Sequence, residues 1–420
     1  MSVVIQDRVS DVTDKFVGTC KFIFILVAIY LSTFIFEAPI RYVLNLAGAG
    51  SLLYLRDGIP VIIISLICIN WMRGKYNPTI LLVIIYLLLL HFFVGMIYIH
   101  SLFQQLFGLK VLLPLILGVA IFSVYKLPLI KFRQYIAYVF LIIVLAILIN
   151  KFYVFPWEGA TFDTIFGQGE QARDWTAGGV RRLSGFSRAS FDAASALLIL
   201  VTYLLAAYKN TCARVLFWLL AFIGIALTTS KGAMLAALIL LLLMIFNKGE
   251  NTKPLYQFVL VGLVMLVVLM PIISLLINVR VRDISSEWAW WFTSYADRME
   301  WMWPKAFELL DQHGSYLLGR GLGGIGVSQM YGDGRWINAA DNIFVYLTVT
   351  FGIVGWIYCG VILTKLFIYK AKTSRENFLI FAFPAIALAY GMSVGVIEQP
   401  LLSFTLGAVI GWIFRSMKPS

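Results

Sequence analysis

Charged residues are scarce in this chain. They make up 13% of its 420 residues, whereas hydrophobic residues make up 61%, and the mean hydropathy is +0.90. A soluble domain averages roughly a quarter charged residues and about half apolar residues. The composition therefore excludes an ordinary soluble domain and predicts an integral membrane protein.

Cysteine and histidine are also rare, with four and three residues. The cysteines lie in or beside apolar runs rather than in the long polar loops, so no disulfide framework is expected. Three scattered histidines argue against a three-histidine metal site, and the chain has no Asp-x-Asp motif, which argues against a metal-dependent transferase of nucleotide sugars. We therefore expect neither a metal nor another cofactor.

Apolar runs fill most of the chain. A helix needs about 20 apolar residues to cross about 30 Å of hydrocarbon, and it satisfies its own backbone hydrogen bonds in lipid. The sequence predicts an all-α, polytopic membrane protein that forms a single domain over residues 1–420. Its twelve candidate spans are approximately 20–36, 58–72, 78–99, 103–125, 133–153, 191–208, 212–229, 231–247, 256–278, 341–366, 377–396 and 400–415.

Lysine and arginine recur in alternate short connections, which sets the predicted orientation. The positive-inside rule places those connections and both termini in the cytoplasm. Two long loops, residues 156–190 and 279–340, then lie on the outer face. The stretch from Glu37 to Gly58 is too polar for a good span, and we interpret it as an interfacial or re-entrant helix on that face. The predicted orientation rests on the following cations of the short connections: Arg73, Lys75, Lys126, Lys131, Arg133, Lys209, Arg214, Lys248, Lys253, Lys365, Lys370, Lys372, Arg375, Arg415 and Lys418.

The larger outer loop combines cationic, aromatic and glycine-rich chemistry. Its tryptophans are interpreted either as an aromatic belt at the membrane interface or as rings that face sugars or a lipid tail. No predicted strand precedes the segment Gly319–Gly326, so we interpret it as a tight turn at the membrane surface rather than a nucleotide-binding loop. The candidate substrate contacts in this loop are Arg280, Arg282, Arg298, Arg320 and Trp301.

The smaller outer loop ends in an arginine cluster formed by Arg181, Arg182 and Arg188, with Gly185 between them. Guanidinium groups bind phosphate oxygens bidentately, and glycine lets the backbone approach a phosphate closely. The pattern predicts either a phosphate site or a solvated cationic loop that binds anionic lipid headgroups.

Two lysines lie in apolar surroundings. Lys231, within Thr228–Gly232, opens a predicted helix, where the helix dipole opposes a cation unless an anion faces it. Lys110 lies in the outer half of the span 103–125, where a lone charge is costly. The alternative for Lys110 is a side chain that reaches the interface along its own aliphatic stem.

Asp341 directly precedes the apolar run that begins at Ile343. One interpretation is an N-cap that accepts backbone N–H groups. The other is a base that takes the proton from a sugar hydroxyl. A helix start favours the ionised carboxylate that such a base needs.

These segments, taken in chain order, resemble the O-antigen ligase/polymerase superfamily, and most of all a Wzy-type polysaccharide polymerase. The motifs run from about Arg181 to Gly355, and the twelve-span plan extends the likeness over most of the chain. They are Arg182-x-x-Gly-Phe-Ser, Thr228-Thr-Ser-Lys-Gly-Ala, Arg298 with a tryptophan in the next turn, Leu318-Gly-Arg-Gly-Leu-Gly, Asp341-Asn-x-x-x-x-Leu and Gly352-Ile-Val-Gly.

The resemblance implies a bacterial inner-membrane glycosyltransferase that needs no metal and has a GT-C-like fold. The implied donor is a glycan on undecaprenyl pyrophosphate, used at the periplasmic face, and a chain-length regulator is an implied partner. Arginines would hold the pyrophosphate, and a base would activate the acceptor hydroxyl.

This chain departs from the family pattern at two positions. Members often have Ser-Arg where this chain has Ser230-Lys231, which keeps the charge but not the bidentate fork. Ligases carry His-Asn where this chain has Asp341-Asn342. The second departure favours a polymerase over a ligase that transfers glycan to a lipid A core.

Our leading hypothesis is therefore a polymerase that moves a growing glycan from its polyprenyl pyrophosphate onto a lipid-linked repeat unit. The alternatives are a ligase of the same architecture and a transporter or flippase of the lipid-linked sugar. Transporters often show repeated halves and midplane charges, and this chain shows no evident repeat. The predicted catalytic residues are Asp341, Arg298 and Arg182, and the predicted binding residues are Arg181, Arg188, Lys231, Arg280, Arg282, Lys110, Arg320 and Trp301.

Overall fold

Helices occupy all twelve predicted spans in the computed structural model. It describes residues 22–74, 77–125, 132–164, 167–177, 179–247, 252–277, 280 and 286–415. Most helix ends fall within about three residues of the ends predicted from hydropathy, because the helices coincide with the uninterrupted apolar runs. The prediction of an all-α, polytopic membrane protein is thereby confirmed.

The helices follow one another with short connections, apart from two long loops. In chain order they are α1 (Phe22–Ile35), α2 (Glu37–Leu46), α3 (Gly58–Met72), α4 (Thr79–Tyr98), α5 (Leu102–Val124), α6 (Arg133–Phe152), α7 (Ser190–Ala207), α8 (Thr211–Leu227), α9 (Lys231–Ile245), α10 (Lys253–Leu276), α11 (Ser286–Asp297), α12 (Trp303–His313), α13 (Ile343–Ile368), α14 (Ser374–Tyr390) and α15 (Pro400–Phe414).

Seven helices of the described chain are long and apolar enough to cross a membrane, or eight if the bent pair α1 and α2 counts as one span. Helices α8, α9 and α15 are apolar but shorter. The count of twelve crossings therefore stays a prediction. So does the orientation, and of the cations that set it, Lys75, Lys126, Lys131, Lys248 and Lys418 lie outside the described residues.

The polar stretch after α1 turns sharply away from it. The α2 helix makes an angle of 86° with α1, and a 3-10 segment, Gly50–Asp57, then leads into α3. Two ion pairs hold the bend: the Glu37 carboxylate pairs with Arg41 at 2.5 Å and with Arg56 at 3.0 Å. A buried carboxylate is tolerated here because two guanidinium groups pair with it.

Helices α5 and α15 pack with their backbones in contact. A Cβ atom at Gly118 would overlap the Phe404 carbonyl oxygen, and one at Gly407 would overlap the Leu115 carbonyl oxygen. Small residues at helix interfaces allow this close approach in membrane proteins. The packing fixes the start of α15, and with it the turn between α14 and α15 that borders the candidate site.

The loop between α6 and α7 contains two short antiparallel hairpins that the sequence analysis did not predict. Strand β1 (Thr161–Thr164) pairs with β2 (Gly167–Glu170), and β3 (Thr176–Ala177) pairs with β4 (Val180–Arg181). The second hairpin leads directly into Arg182 and the arginine cluster.

The glycine-rich segment Gly319–Gly326 is a turn, as predicted, and all its residues are buried within the protein. A Cβ atom at Gly321 would overlap the backbone nitrogen of Gly95 in α4, and Gly321 has a φ of +83°. At the other side of the segment, α13 is broken at Gly352, whose φ is +62°. The segment inserts between helices because glycine at these positions lets backbones touch.

Candidate active site

Arg298 and Asp341 form an ion pair across the larger loop. The Arg298 Nη2 atom donates to Asp341 Oδ2 at 2.7 Å and to the Ser393 carbonyl oxygen at 2.9 Å. Arg298 begins a π-helical turn, Arg298–Met302, between α11 and α12. Such turns insert one residue into a helix and are frequent at functional sites. The pair joins the larger loop to the turn between α14 and α15.

Asp341 is not the N-cap of α13. The side chain of Asn342 fills that role, accepting from the backbone N–H groups of Phe344 at 2.7 Å and Val345 at 3.2 Å. The cap interpretation of Asp341 is therefore wrong, because the cap position falls one residue later. The Asp341 carboxylate is directed to Arg298 instead.

The backbone just before α13 is strained. Ala340 has a φ of +60° and Asp341 has a φ of +43°, both in the left-handed region that side chains disfavour. Non-glycine residues held in this region cost of order 1–3 kcal/mol each and cluster at functional sites. The strain directs the Asp341 side chain away from the helix start.

Burial raises the pKa of the Asp341 carboxyl above its ordinary value, although Arg298, Arg182 and the Gly395 N–H act in the opposite direction. The expectation that a helix start would favour ionisation is thus outweighed by the loss of water. A carboxylate whose pKa lies nearer the working pH is a better proton acceptor. The electrostatics therefore suit Asp341 to the role of a base.

Arg182 and Lys231 lie beside this pair. Arg182 follows the second hairpin, where burial and the positive charge of Arg298 lower the pKa of its guanidinium group, and Asp341 partly offsets them. Lys231 is the first residue of α9 and lies within electrostatic range of Arg182 and Arg298. Arg182 and Arg298 thus lie within electrostatic range of the Asp341 carboxylate, and Lys231 lies within range of both arginines. An anion placed among them would relieve their mutual repulsion.

Three guanidinium nitrogens in this region lack hydrogen-bond partners. The Nε atoms of Arg182, Arg188 and Arg298 are buried, and none has a partner among the described residues. Leaving a buried donor unsatisfied costs about 1–3 kcal/mol, and more for a charged group. Phosphate oxygens are suitable acceptors for such donors. Buried donors of this kind are chemically suited to an anion.

Arg188 and Lys110 lie in a neighbouring network rather than with Asp341. Arg188 is within electrostatic range of the acids Glu37 and Asp192. Lys110 pairs with Asp57 at 2.8 Å. The two arginines of the predicted phosphate site, Arg182 and Arg188, thus belong to two adjoining clusters. Lys110 is neutralised by its ion pair with Asp57.

The remaining predicted binding residues lie apart from the Asp341 pair. Arg181 pairs with Glu158. Arg320 is buried and donates to the carbonyl oxygens of His313 and Gly324 and to Asp333 Oδ2, which favours a structural role over substrate binding.

Three of these candidates fall elsewhere in the larger loop. Arg280 is exposed, and Trp301, in the π-helical turn, is 64% exposed. Arg282 lies outside the described residues.

The turn between α14 and α15 contributes residues that sequence reasoning missed. The Ser230 hydroxyl donates to Tyr390 Oη at 3.0 Å, and Gly232 packs against Ser393. Glu398 accepts from the Val327 N–H at 2.8 Å. Burial and the nearby charge of Asp341 raise the pKa of Glu398 to about 8. The sequence did carry a signal for these residues, because the polar side chains of Ser393, Glu398 and Gln399 interrupt two apolar runs.

Residues 215–360 match the family model described as O-antigen ligase (Wzy_C). No curated protein matches the chain. The matched region contains Lys231, Arg298 and Asp341, whereas Arg182 and the turn between α14 and α15 lie outside it. The predicted resemblance to the O-antigen ligase/polymerase superfamily is confirmed over residues 215–360, about a third of the chain.

Proposed function

Starting from this O-antigen ligase family match, we propose that the protein is a polysaccharide polymerase. It transfers a growing glycan from a polyprenyl pyrophosphate onto a hydroxyl of a lipid-linked repeat unit. The observation that carries the proposal is the pair of buried, unpartnered Nε atoms of Arg182 and Arg298 beside Asp341. Such a transfer needs a carboxylate that activates the acceptor and, next to it, cationic groups that bind the pyrophosphate.

The reaction replaces one bond to the anomeric carbon with another. The acceptor oxygen bonds to the anomeric carbon while Asp341 takes the hydroxyl proton. The bond from that carbon to the pyrophosphate oxygen breaks, and its electron pair leaves with the pyrophosphate. Positive groups held in place before the reaction stabilise the departing charge without reorganisation. Arg182, Arg298 and Lys231 supply those positive groups.

The buried surroundings strengthen both roles. An electrostatic interaction in a site shielded from water is stronger than the same interaction at a surface. Arg298 contacts Asp341 and also faces the proposed leaving group, so it couples the base to the pyrophosphate. Loss of Arg298 then affects both proton transfer and departure of the leaving group.

A ligase that transfers glycan to a lipid A core is the second candidate, because the matching family model is described as O-antigen ligase. Asp341 in place of the family ligases' histidine favours the polymerase. The two differ only in the acceptor, so acceptor choice distinguishes them.

We further propose that the site faces the periplasm and that both termini are cytoplasmic. The cation pattern of the short connections supports this orientation. A chain-length regulator is the proposed protein partner, on the family resemblance alone.

Purified protein in lipid nanodiscs, supplied with undecaprenyl-pyrophosphate-linked repeat units, tests the proposal. We expect a ladder of products that differ by one repeat unit. Transfer only to added lipid A core would establish the ligase instead. Unchanged substrate, with lipid movement across the bilayer, would contradict both and indicate a transporter.

A further inference from the structure

The described tryptophans differ in what their indole N–H groups contact. Trp175 is 39% exposed and makes no indole hydrogen bond within the described residues. The tryptophans that do donate to a protein oxygen are Trp157, Trp218, Trp303, Trp356 and Trp412. Those five are fixed by the fold through their polar edge. Trp175 is left with a partly exposed ring and with a polar edge that makes no hydrogen bond within the described residues.

The second hairpin places Trp175 directly opposite Arg182. Thr176 pairs with Arg181 in the β3–β4 register, and the Arg182 N–H donates to the Trp175 carbonyl oxygen at 2.8 Å. Directly opposed residues of an antiparallel pair project from the same face, with Cβ atoms about 4.5–5.5 Å apart. The Trp175 ring and the Arg182 guanidinium group therefore leave the hairpin on one side.

Two neighbours hold the Trp175 ring in place. The Arg173 guanidinium carbon lies 4.7 Å from the ring centroid, and the Phe191 ring lies 6.0 Å away at an angle of 52°. A cation over an aromatic face attracts the ring by about 0.5–1 kcal/mol at exposed sites. Phe191 also belongs to the site, since its carbonyl oxygen accepts from Tyr390 Oη at 3.2 Å. The ring is thus both exposed and oriented.

We propose that Trp175 is the stacking platform for the sugar bonded to the pyrophosphate of the donor lipid, and that it selects donors by that sugar. The inference rests on the proposed function. One face of a sugar ring presents C–H bonds that pack on an aromatic ring, while its hydroxyls stay hydrated. With the pyrophosphate on Arg182, the next group along the donor is the sugar, and it meets the ring on the same face of the hairpin.

The proposed stacking contact positions the sugar that reacts. The stacked sugar carries the anomeric carbon whose bond to the pyrophosphate breaks. Trp175 touches no reacting atom, so it is a specificity and positioning residue, and the base and leaving-group contacts stay with Asp341 and the arginines.

Equilibrium binding to the protein in nanodiscs tests the inference with two probes. One is an undecaprenyl-pyrophosphate-linked repeat unit, and the other is undecaprenyl pyrophosphate without sugar. We expect Trp175→Ala to weaken binding of the first about tenfold, equivalent to about 1.4 kcal/mol, and to leave the second unchanged. Trp175→Phe should restore most of the difference, because it restores an aromatic face.

Two further variants complete the design. Trp71, which is 40% exposed, lies near the end of α3, at the opposite end from the 3-10 segment Gly50–Asp57. Trp71→Ala should change binding of neither probe, so it controls for loss of an exposed tryptophan. Arg182→Gln should weaken binding of both probes, because both carry the pyrophosphate.

Equal weakening of both probes by Trp175→Ala would overturn the inference and indicate a structural role for the ring. Unchanged binding of both would overturn it as well. A wild-type protein that binds neither probe would refute the proposed function itself, and with it this inference.

Discussion

Replacing Asp341 by asparagine removes the proposed base with little change of shape. The amide oxygen still accepts a hydrogen bond, so the contact that Arg298 makes at 2.7 Å can persist. The pair is largely shielded, with side-chain exposures of 15% for Arg298 and 22% for Asp341. General-base catalysis contributes typically about 10²–10⁴-fold. We therefore expect the polymerisation rate of Asp341→Asn to fall at least about 100-fold.

The same change has a smaller effect on stability. It leaves the Arg298 charge without a counter-charge, and losing a hydrogen bond to a charged group costs about 1.5–3 kcal/mol. The retained amide contact reduces that loss. Asp341→Glu keeps a carboxylate on a side chain one methylene longer, so we expect it to retain much more activity than Asp341→Asn.

Initial rates of polymer formation in nanodiscs, with Tm measured in parallel, separate the two effects. Asn342→Ala is the matched control, because it removes the real N-cap of α13 and costs about 1 kcal/mol of stability. It should lower Tm while leaving the pH dependence of the rate unchanged. Equal activity of Asp341→Asn and Asp341→Glu would refute the assignment of Asp341 as the base.

Three further predictions follow from other contacts. Arg182→Ala should abolish polymer while the protein still inserts in normal amount, as judged by product ladders and membrane yield. Burial raises the pKa of Glu398 from 4.5 to about 8, so the folded protein binds more protons than the unfolded chain between these pH values. Stability should therefore fall as pH rises through that window, and Glu398→Gln should flatten the fall in Tm. Gly321→Ala should prevent folding, since its φ is +83° and a Cβ atom would overlap Gly95, whereas Gly262→Ala, with open space around it, should express as folded protein by gel filtration.

The helices that occupy the twelve predicted spans were predictable because each lies in a mostly apolar run, whereas α2, α11 and α12 do not. The second hairpin also had a signal, since the sequence Gly178-Gly179 between Ala177 and Val180 is typical of a two-residue turn. That signal is weak beside a strong hydropathy pattern. Local patterns therefore predicted the helices and left the loop architecture open.

Pairings between distant residues were not predictable. Arg298 and Asp341 meet only because the larger loop folds back on the start of α13, and residue type alone does not distinguish Arg298 from Arg320. The Nε atom of Arg298 has no hydrogen-bond partner among the described residues. All three guanidinium nitrogens of Arg320, in contrast, donate to oxygen atoms of the protein. The burial of Gly319–Gly326 depends likewise on Gly95 and Gly352, far away in the chain.

In the proposed mechanism, the partly buried Arg182 and Arg298 beside Asp341 bind a lipid-linked pyrophosphate. Binding of undecaprenyl pyrophosphate to wild type and to Arg298→Gln in nanodiscs tests it most directly, with the exposed Arg73→Gln as control. We predict that Arg298→Gln weakens binding at least about tenfold, which is about 1.4 kcal/mol, and that Arg73→Gln matches wild type. Equal affinity of all three proteins would contradict the claim.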